Sequence, residues 1–192
     1  MSTSKSKNSY IIIFILIIGC LCYFVDLSSG KECYRKGLAY YEAADEECYF
    51  DEDGLEKAIS YLEKALKRGV KERELYDKLA FGYSRLNEDE YNSERIYSLA
   101  LQQYPKDIEF YFRRGQCRQG LKEYKKAYED FNKAILIDTS KKYIYYSSLY
   151  YERGAMRFMT GDTLNAKKDL ETAEKLDGHE LRDYKDYCRK FE

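Results

Sequence analysis

Residues 110–138 read FYFRRGQCRQGLKEYKKAYEDFNKAILID, and the octet YFRRGQCR at 111–118 returns in outline as YYERGAMR at 150–157. The shared skeleton is Y-x-x-R-G-x-x-R. From Gly115 the chain runs on to Ala127, Phe131 and Ala134; from Gly154 it reaches Ala166, Leu170 and Ala173 at the same offsets. Upstream, Ser93, Tyr97 and Ala100 repeat the second half of this pattern, as do Ala58, Leu62 and Ala65. The closing alanines, Ala65, Ala100, Ala134 and Ala173, follow one another at 35, 34 and 39 residues. A period of this length denotes a stack of small supersecondary units, each too small to bury its own apolar face.

The local chemistry is helical. From Tyr124, apolar residues fall at Ala127, Tyr128, Phe131, Ala134 and Ile135, the i, i+3, i+4, i+7 stripe of an amphipathic helix. Gly115 and Gly154 each cost about 1 kcal/mol relative to alanine in a helix interior. Their return at one spacing implies a notch where two helices approach closely, with small Ala127 and Ala134 opposite. The arginine beside each glycine reads as a surface residue whose stem covers the neighbouring turn. Asp107 and Ser140 stand where they can cap the first helices of the last two repeats, and Asp162 can cap the helix after Thr160-Gly161. Tyr104-Pro105 ends the second repeat.

Composition agrees. The chain of 192 residues has one Pro, no Trp and 35% charged residues, which suits an all-helical protein. Lys and Arg number 33 against 34 Asp and Glu, a balance that argues against nucleic-acid binding. Twenty-two tyrosines exceed what a small helical core can bury, so part of that set is expected to line a surface.

The pattern resembles the tetratricopeptide repeat, in which an aromatic and a glycine in a first helix precede A-x-x-x-F-x-x-A in a second. The resemblance covers roughly residues 31–178, in repeats at about 31–69, 71–105, 107–139 and 141–178. It implies an all-α fold, a superhelical stack of about four antiparallel helix pairs. Residues 179–192, with Leu181, Tyr184, Cys188 and Phe191 on one stripe, are expected to form a capping helix over the last repeat. The resemblance also implies a concave face, lined by the first helix of each pair, where peptides or partner helices dock. Projected onto this chain, that face carries Tyr34, Arg35 and Tyr41, then Tyr76, Leu79 and Tyr83. The third repeat adds Phe112, Arg113, Gln116 and Gln119, and the fourth adds Tyr151 and Phe158. Aromatics and arginine dominate the energetics of interfaces. Members that grip a terminal carboxylate do so with Lys and Asn residues where this chain has Tyr34, Leu38 and Ala80.

Catalytic constellations are not expected. His179 is the only histidine, placed at the start of the expected capping helix, and it builds no triad. The acidic run Asp45, Glu46, Glu47, Asp51, Glu52 and Asp53 lacks the spacing of a calcium loop and reads as a solvated loop. Neither a cofactor, a metal nor a small-molecule substrate is expected. Cys33 and Cys48 flank the first turn and are placed to pair in an oxidising compartment, or to remain thiols.

Residues 1–30 read as a targeting segment. Lys5 and Lys7 precede the apolar run IIIFILIIGCLCYFV, as in a secretion signal or signal-anchor. Ile17-Ile18-Gly19-Cys20 resembles a lipobox, which makes Cys20 the lipidation candidate. An uncleaved anchor and cleavage near Ser28-Ser29-Gly30 stand beside it. Each places the remaining chain at or beyond a membrane, and the lysines orient it outside the cytoplasm, as a periplasmic or cell-surface lipoprotein. The expected function is a membrane-tethered scaffold that binds a protein partner through an aromatic groove. The alternative is an accessory lipoprotein of an envelope assembly, held by its convex face or capping helix.

Overall fold

A computed structural model describes residues 29–44, 51–87 and 89–191; Cys20, Cys48 and the segment around each lie outside them. All regular structure among the described residues is helical, and no helix among them is long and apolar enough to cross a membrane. The chain forms two compact units, Met1–Leu75 and Tyr76–Glu192.

In the first unit, α1 (29–44) pairs with α2 (Glu52–Lys67). Asp51 caps α2 by accepting the amide of Gly54, and Glu52 and Asp53 occupy its first turn, where carboxylates oppose the positive helix end. The end of the acidic run is therefore a helix start, not the loop expected from its charge. Leu62 packs over Gly37, where a Cβ would lie 2.8 Å from its side chain.

The second unit holds most of α3 (Arg73–Asn87), α4 (Glu90–Gln103), α5 (Ile108–Gly120), α6 (Tyr124–Ile137), α7 (Tyr146–Met159) and α8 (Thr163–Asp177). A single turn, α9 (Tyr184–Tyr187), and a 3-10 turn, Cys188–Phe191, complete it. The pairs α3/α4, α5/α6 and α7/α8 are the helical hairpins. Ser93 seals α3/α4, the second hairpin of the chain, by donating to the Ala80 carbonyl at 2.7 Å. In α5/α6, the third, Ala127, Phe131 and Ala134 are fully buried. The notch at Gly115 faces the Phe131 ring rather than the alanines, since a Cβ there would lie 2.6 Å from that ring.

The Y-x-x-R-G-x-x-R skeleton has a different purpose from the one its exposure pattern suggested. Arg114 and Arg118 do not snorkel; both reach the buried carboxylate of Asp130 on α6, at 2.6 and 2.9 Å. Arg153 and Arg157 grip Asp169 on α8 in the same way, each at 2.7 Å. Burial pushes the Asp130 carboxyl up, and the two guanidiniums oppose that. The same arginines also bond the second helix of the preceding hairpin: Arg114 to Ser98 and Arg118 to Glu94, then Arg153 to Asn132 and Arg157 to Tyr128. The leading Tyr of each octet lies against the first guanidinium, Tyr111 at 5.6 Å and Tyr150 at 5.0 Å, within cation–π range. The arginine pair thus closes its own hairpin and staples it to the one before. In α1/α2 the matching positions are Lys36, Tyr40 and Tyr61, with the two rings stacked at 5.6 Å and the lysine over Tyr61.

Asp107, Asp162 and Asp183 cap α5, α8 and α9, and α4 ends at Tyr104. Ser140 does not cap α7, which begins later, at Tyr146, with no side-chain cap. Instead Asp138 organises the connection: its carboxylate accepts the amides of Lys142 and Tyr143 and the Ser140 hydroxyl. Burial alone would raise it, but these bonds hold its carboxyl below the usual carboxylate range. The last segment is not one helix. Gly178 ends α8 in the left-handed conformation, and His179 lies in the irregular stretch that precedes α9.

Candidate binding groove

Helices α3, α4 and α5 enclose a recess of about 180 Å³ lined by Phe81, Ser84, Glu90, Tyr97, Arg113, Gln116 and Cys117. Three of these, Arg113, Gln116 and Cys117, follow one another along α5 at i, i+3 and i+4 and so share a face. Arg113 is held in place by Glu109, whose carboxylate accepts its Nε at 2.7 Å, and by Gln116 at 3.4 Å. Glu109 also receives the Tyr143 hydroxyl from the connection before α7. Burial works against the Arg113 charge, and the Glu109 bond more than offsets it. The guanidinium stays cationic at the mouth of the recess. Burial pushes the Cys117 thiol and the Tyr97 phenol up, so both enter the recess as neutral groups.

Phe81 is the residue that pattern reading missed. It is 40% exposed, with the Arg85 guanidinium 5.8 Å from its ring. A signal existed: Phe81 precedes Gly82 as Arg114 precedes Gly115. In the second hairpin Ile96 stands where Asp130 stands in the third, so an arginine at position 81 would have no carboxylate to meet.

The other projected residues separate into four groups. Tyr76 and Phe112 are core, at 3% and 4% exposed. Phe112 stacks on Tyr145, meets Tyr143 edge-on and leans on Phe131; the five residues or so inserted before α7 bring Tyr143 and Tyr145 over it. Tyr76 and Phe112 are therefore core residues, not part of the exposed concave face onto which the repeat pattern projects them. Tyr83 is half-buried on α3, and Tyr41 and Leu79 are buried. Tyr34 and Arg35 belong to the first unit, where Tyr34 donates to Glu74 at 2.9 Å and exposed Arg35 pairs with Glu32. Gln119, Tyr151 and Phe158 come together beneath the C-terminal segment. Gln119 donates to Glu152 at 2.9 Å, Tyr151 to the Arg182 carbonyl at 2.7 Å, and Phe158 faces Tyr184.

The sequence pattern of the tetratricopeptide repeat matches residues 108–141. No curated protein matches this chain in sequence. Among solved structures, MamA is similar at 18% identity and a TM-score of 0.63, over 81% of this chain and 85% of its own. The TPR domain of Arabidopsis OM64 is similar at 21% identity and 0.52, over 69% and 98%. YrrB, described as a TPR protein with an unusual peptide-binding site, is similar at 20% identity and 0.55, over 78% and 80%. Residues 108–141 are a tetratricopeptide repeat, and the helix pairs around them have the fold of a tetratricopeptide array.

Proposed function

We propose that this chain is a membrane-tethered scaffold, without catalytic activity, that binds a segment of a protein partner in the recess between α3 and α5. The observation that carries this reading is the half-exposed Phe81 ring beside Arg113 and Gln116, whose side chains are already fixed by Glu109 and by each other. A fixed cation and amide next to an apolar ring pay little ordering entropy on binding, and aromatic and arginine residues are the usual anchors of an interface. The likeness to a peptide-binding array such as YrrB supports the class of ligand. Tethering rests on the apolar N-terminal run, with Cys20 as its lipidation site and the repeats outside the cytoplasm. Photo-crosslinking from position 81 in intact cells tests the reading. Phe81→Ala should cost about 2 kcal/mol of partner affinity, a thirtyfold loss, with stability within about 0.5 kcal/mol of wild type. Early melting with unchanged capture would remove the recess from consideration.

The accessory-subunit alternative has its own observation. Leu136 on α6 and Leu164 and Leu176 on α8 are exposed on the second helices of their hairpins, away from the recess-lining α5. Charged substitutions there would disrupt an assembly while leaving capture from position 81 intact.

A further inference from the structure

Tyr184, Tyr187, Cys188 and Phe191 fall at i, i+3, i+4 and i+7, the spacing of a helix that lays one face in a groove. Their rings meet α7 and the start of α6. Tyr184 lies 5.3 Å from Tyr151 and 6.2 Å from Phe158, Tyr187 lies 4.8 Å from Tyr151, and Phe191 lies 6.5 Å from Tyr124. Gly154 admits the Tyr184 hydroxyl, which any Cβ there would displace. Polar bonds fix the register. Tyr187 donates to one oxygen of Glu152 at 2.6 Å while Gln119 donates to the other, and Tyr124 donates to the Phe191 carbonyl at 3.1 Å. The segment therefore covers Gln119, Tyr151 and Phe158, three residues that the repeat pattern assigns to a binding face.

Two groups in this seam are poorly served by it. The Tyr184 hydroxyl is buried with no hydrogen-bond partner among the described residues. Its neighbour Asp169 has both oxygens committed to Arg153 and Arg157. Glu152 is partly buried, and burial pushes its carboxyl up. A buried hydroxyl without a partner and a desolvated carboxylate both favour release to water. The covering piece itself is one α-helical turn and one 3-10 turn at the end of the non-helical stretch from Gly178.

We propose that residues 184–191 are an internal stand-in for a ligand, displaced by a partner helix with Tyr or Phe at i, i+3 and i+7. The middle aromatic of that helix would be a tyrosine directed at Glu152. This rests on reading the concave face as a binding surface, and it extends that surface to the fourth repeat.

The test uses the full chain and a fluorescent peptide of the sequence of residues 183–191, with alanine in place of its cysteine. Three proteins are compared by anisotropy: wild type, Tyr187→Phe and Tyr184→Phe. Tyr187→Phe loses the bond to Glu152 but keeps its ring, and should bind the peptide at least tenfold more tightly than wild type. Tyr184→Phe removes the unpartnered hydroxyl, and should bind it several-fold more weakly. A peptide with phenylalanine at its middle aromatic should bind each protein less well. Hydrogen exchange supplies a second reading: amides of 184–191 should open faster than those of α7, and more slowly in Tyr184→Phe. Equal peptide affinity in all three proteins, or exchange of 184–191 only together with α7, would make the segment a permanent cap and overturn the proposal. So would peptide-free dimers formed by exchange of this segment between copies. Capture from position 81 without any peptide binding overturns this inference alone; peptide binding without capture from position 81 overturns the α3–α5 recess alone.

Discussion

Replacing Asp130 by alanine should be among the most damaging single changes to the array. The residue is 2% exposed and accepts three hydrogen bonds, two from Arg114 and one from Arg118. Removing one partner of a buried ion pair typically costs about 3–5 kcal/mol, because the remaining charge is left enclosed and uncompensated. Two features place the expected loss near the lower bound. Arg118 keeps both of its bonds to Glu94, and Arg114 keeps Ser98. A loss of about 3 kcal/mol corresponds to a fall in Tm of roughly 6–12 °C for a domain of this size. Urea unfolding followed by far-UV circular dichroism measures it, and Asp169→Ala provides the parallel case in the fourth repeat. The double replacement Arg114→Met with Asp130→Leu should recover part of the loss, since apolar pairs of similar volume often substitute for buried ion pairs. A loss within about 0.5 kcal/mol for Asp130→Ala, the range of an ordinary surface substitution, would refute the clamp.

Gly115→Leu should overpack the third hairpin at a cost of about 1–3 kcal/mol, because its side chain enters the space of the Phe131 ring; the melting temperature reports it. Glu152 predicts a pH dependence with a definite sign. Burial raises its folded-state pKa, Tyr187, Gln119 and Lys190 oppose that rise, and the Tyr151 and Tyr184 phenols interact with it as well. Its contribution is fully present below the unfolded glutamate pKa of about 4.3 and is lost as pH rises through the raised value. Glu152→Gln should remove that part of the stability profile, and a Tm series over pH compares the two proteins. Cys20→Ser should abolish incorporation of a clickable fatty acid; unchanged labelling would move the modification elsewhere, and unlabelled wild type would favour an uncleaved anchor.

Hairpin identity was legible because it depends on spacing. Apolar period, glycine notches and aspartate caps are local properties, and Asp107 and Asp162 cap where pattern reading places them. The fate of individual tyrosines and arginines was not legible, because it depends on what lies across the interface. Phe112 looks like a groove residue on a helical wheel, yet Tyr143 and Tyr145 cover it from a connection whose path follows from Asp138, not from periodicity. Arg114 and Arg153 look solvated until Asp130 and Asp169, sixteen residues on in each case, are seen to point back at them. That shared offset was present in the sequence. Two acidic residues at one offset from two R-G pairs form a pattern that apolar periodicity does not register.

An array coupled in this way comes apart unevenly. In a linear stack each repeat depends on its own stability and on its coupling to the next. From α4 to α8 that coupling runs through largely buried ion pairs at α4/α5, α5/α6 and α7/α8, which added salt screens far less than exposed ones, and through hydrogen bonds of Arg153 and Arg157 at α6/α7. The α1/α2 hairpin has instead a lysine over a tyrosine ring and the exposed Arg35–Glu32 pair, both open to ions. Rising ionic strength should therefore sharpen a boundary along the chain. The α4–α8 block opens cooperatively, its amides sharing one exchange free energy, while the first hairpin frays below that value. The protein would wear from its N-terminal hairpin, and the α4–α8 repeats would be the last to lose their shape.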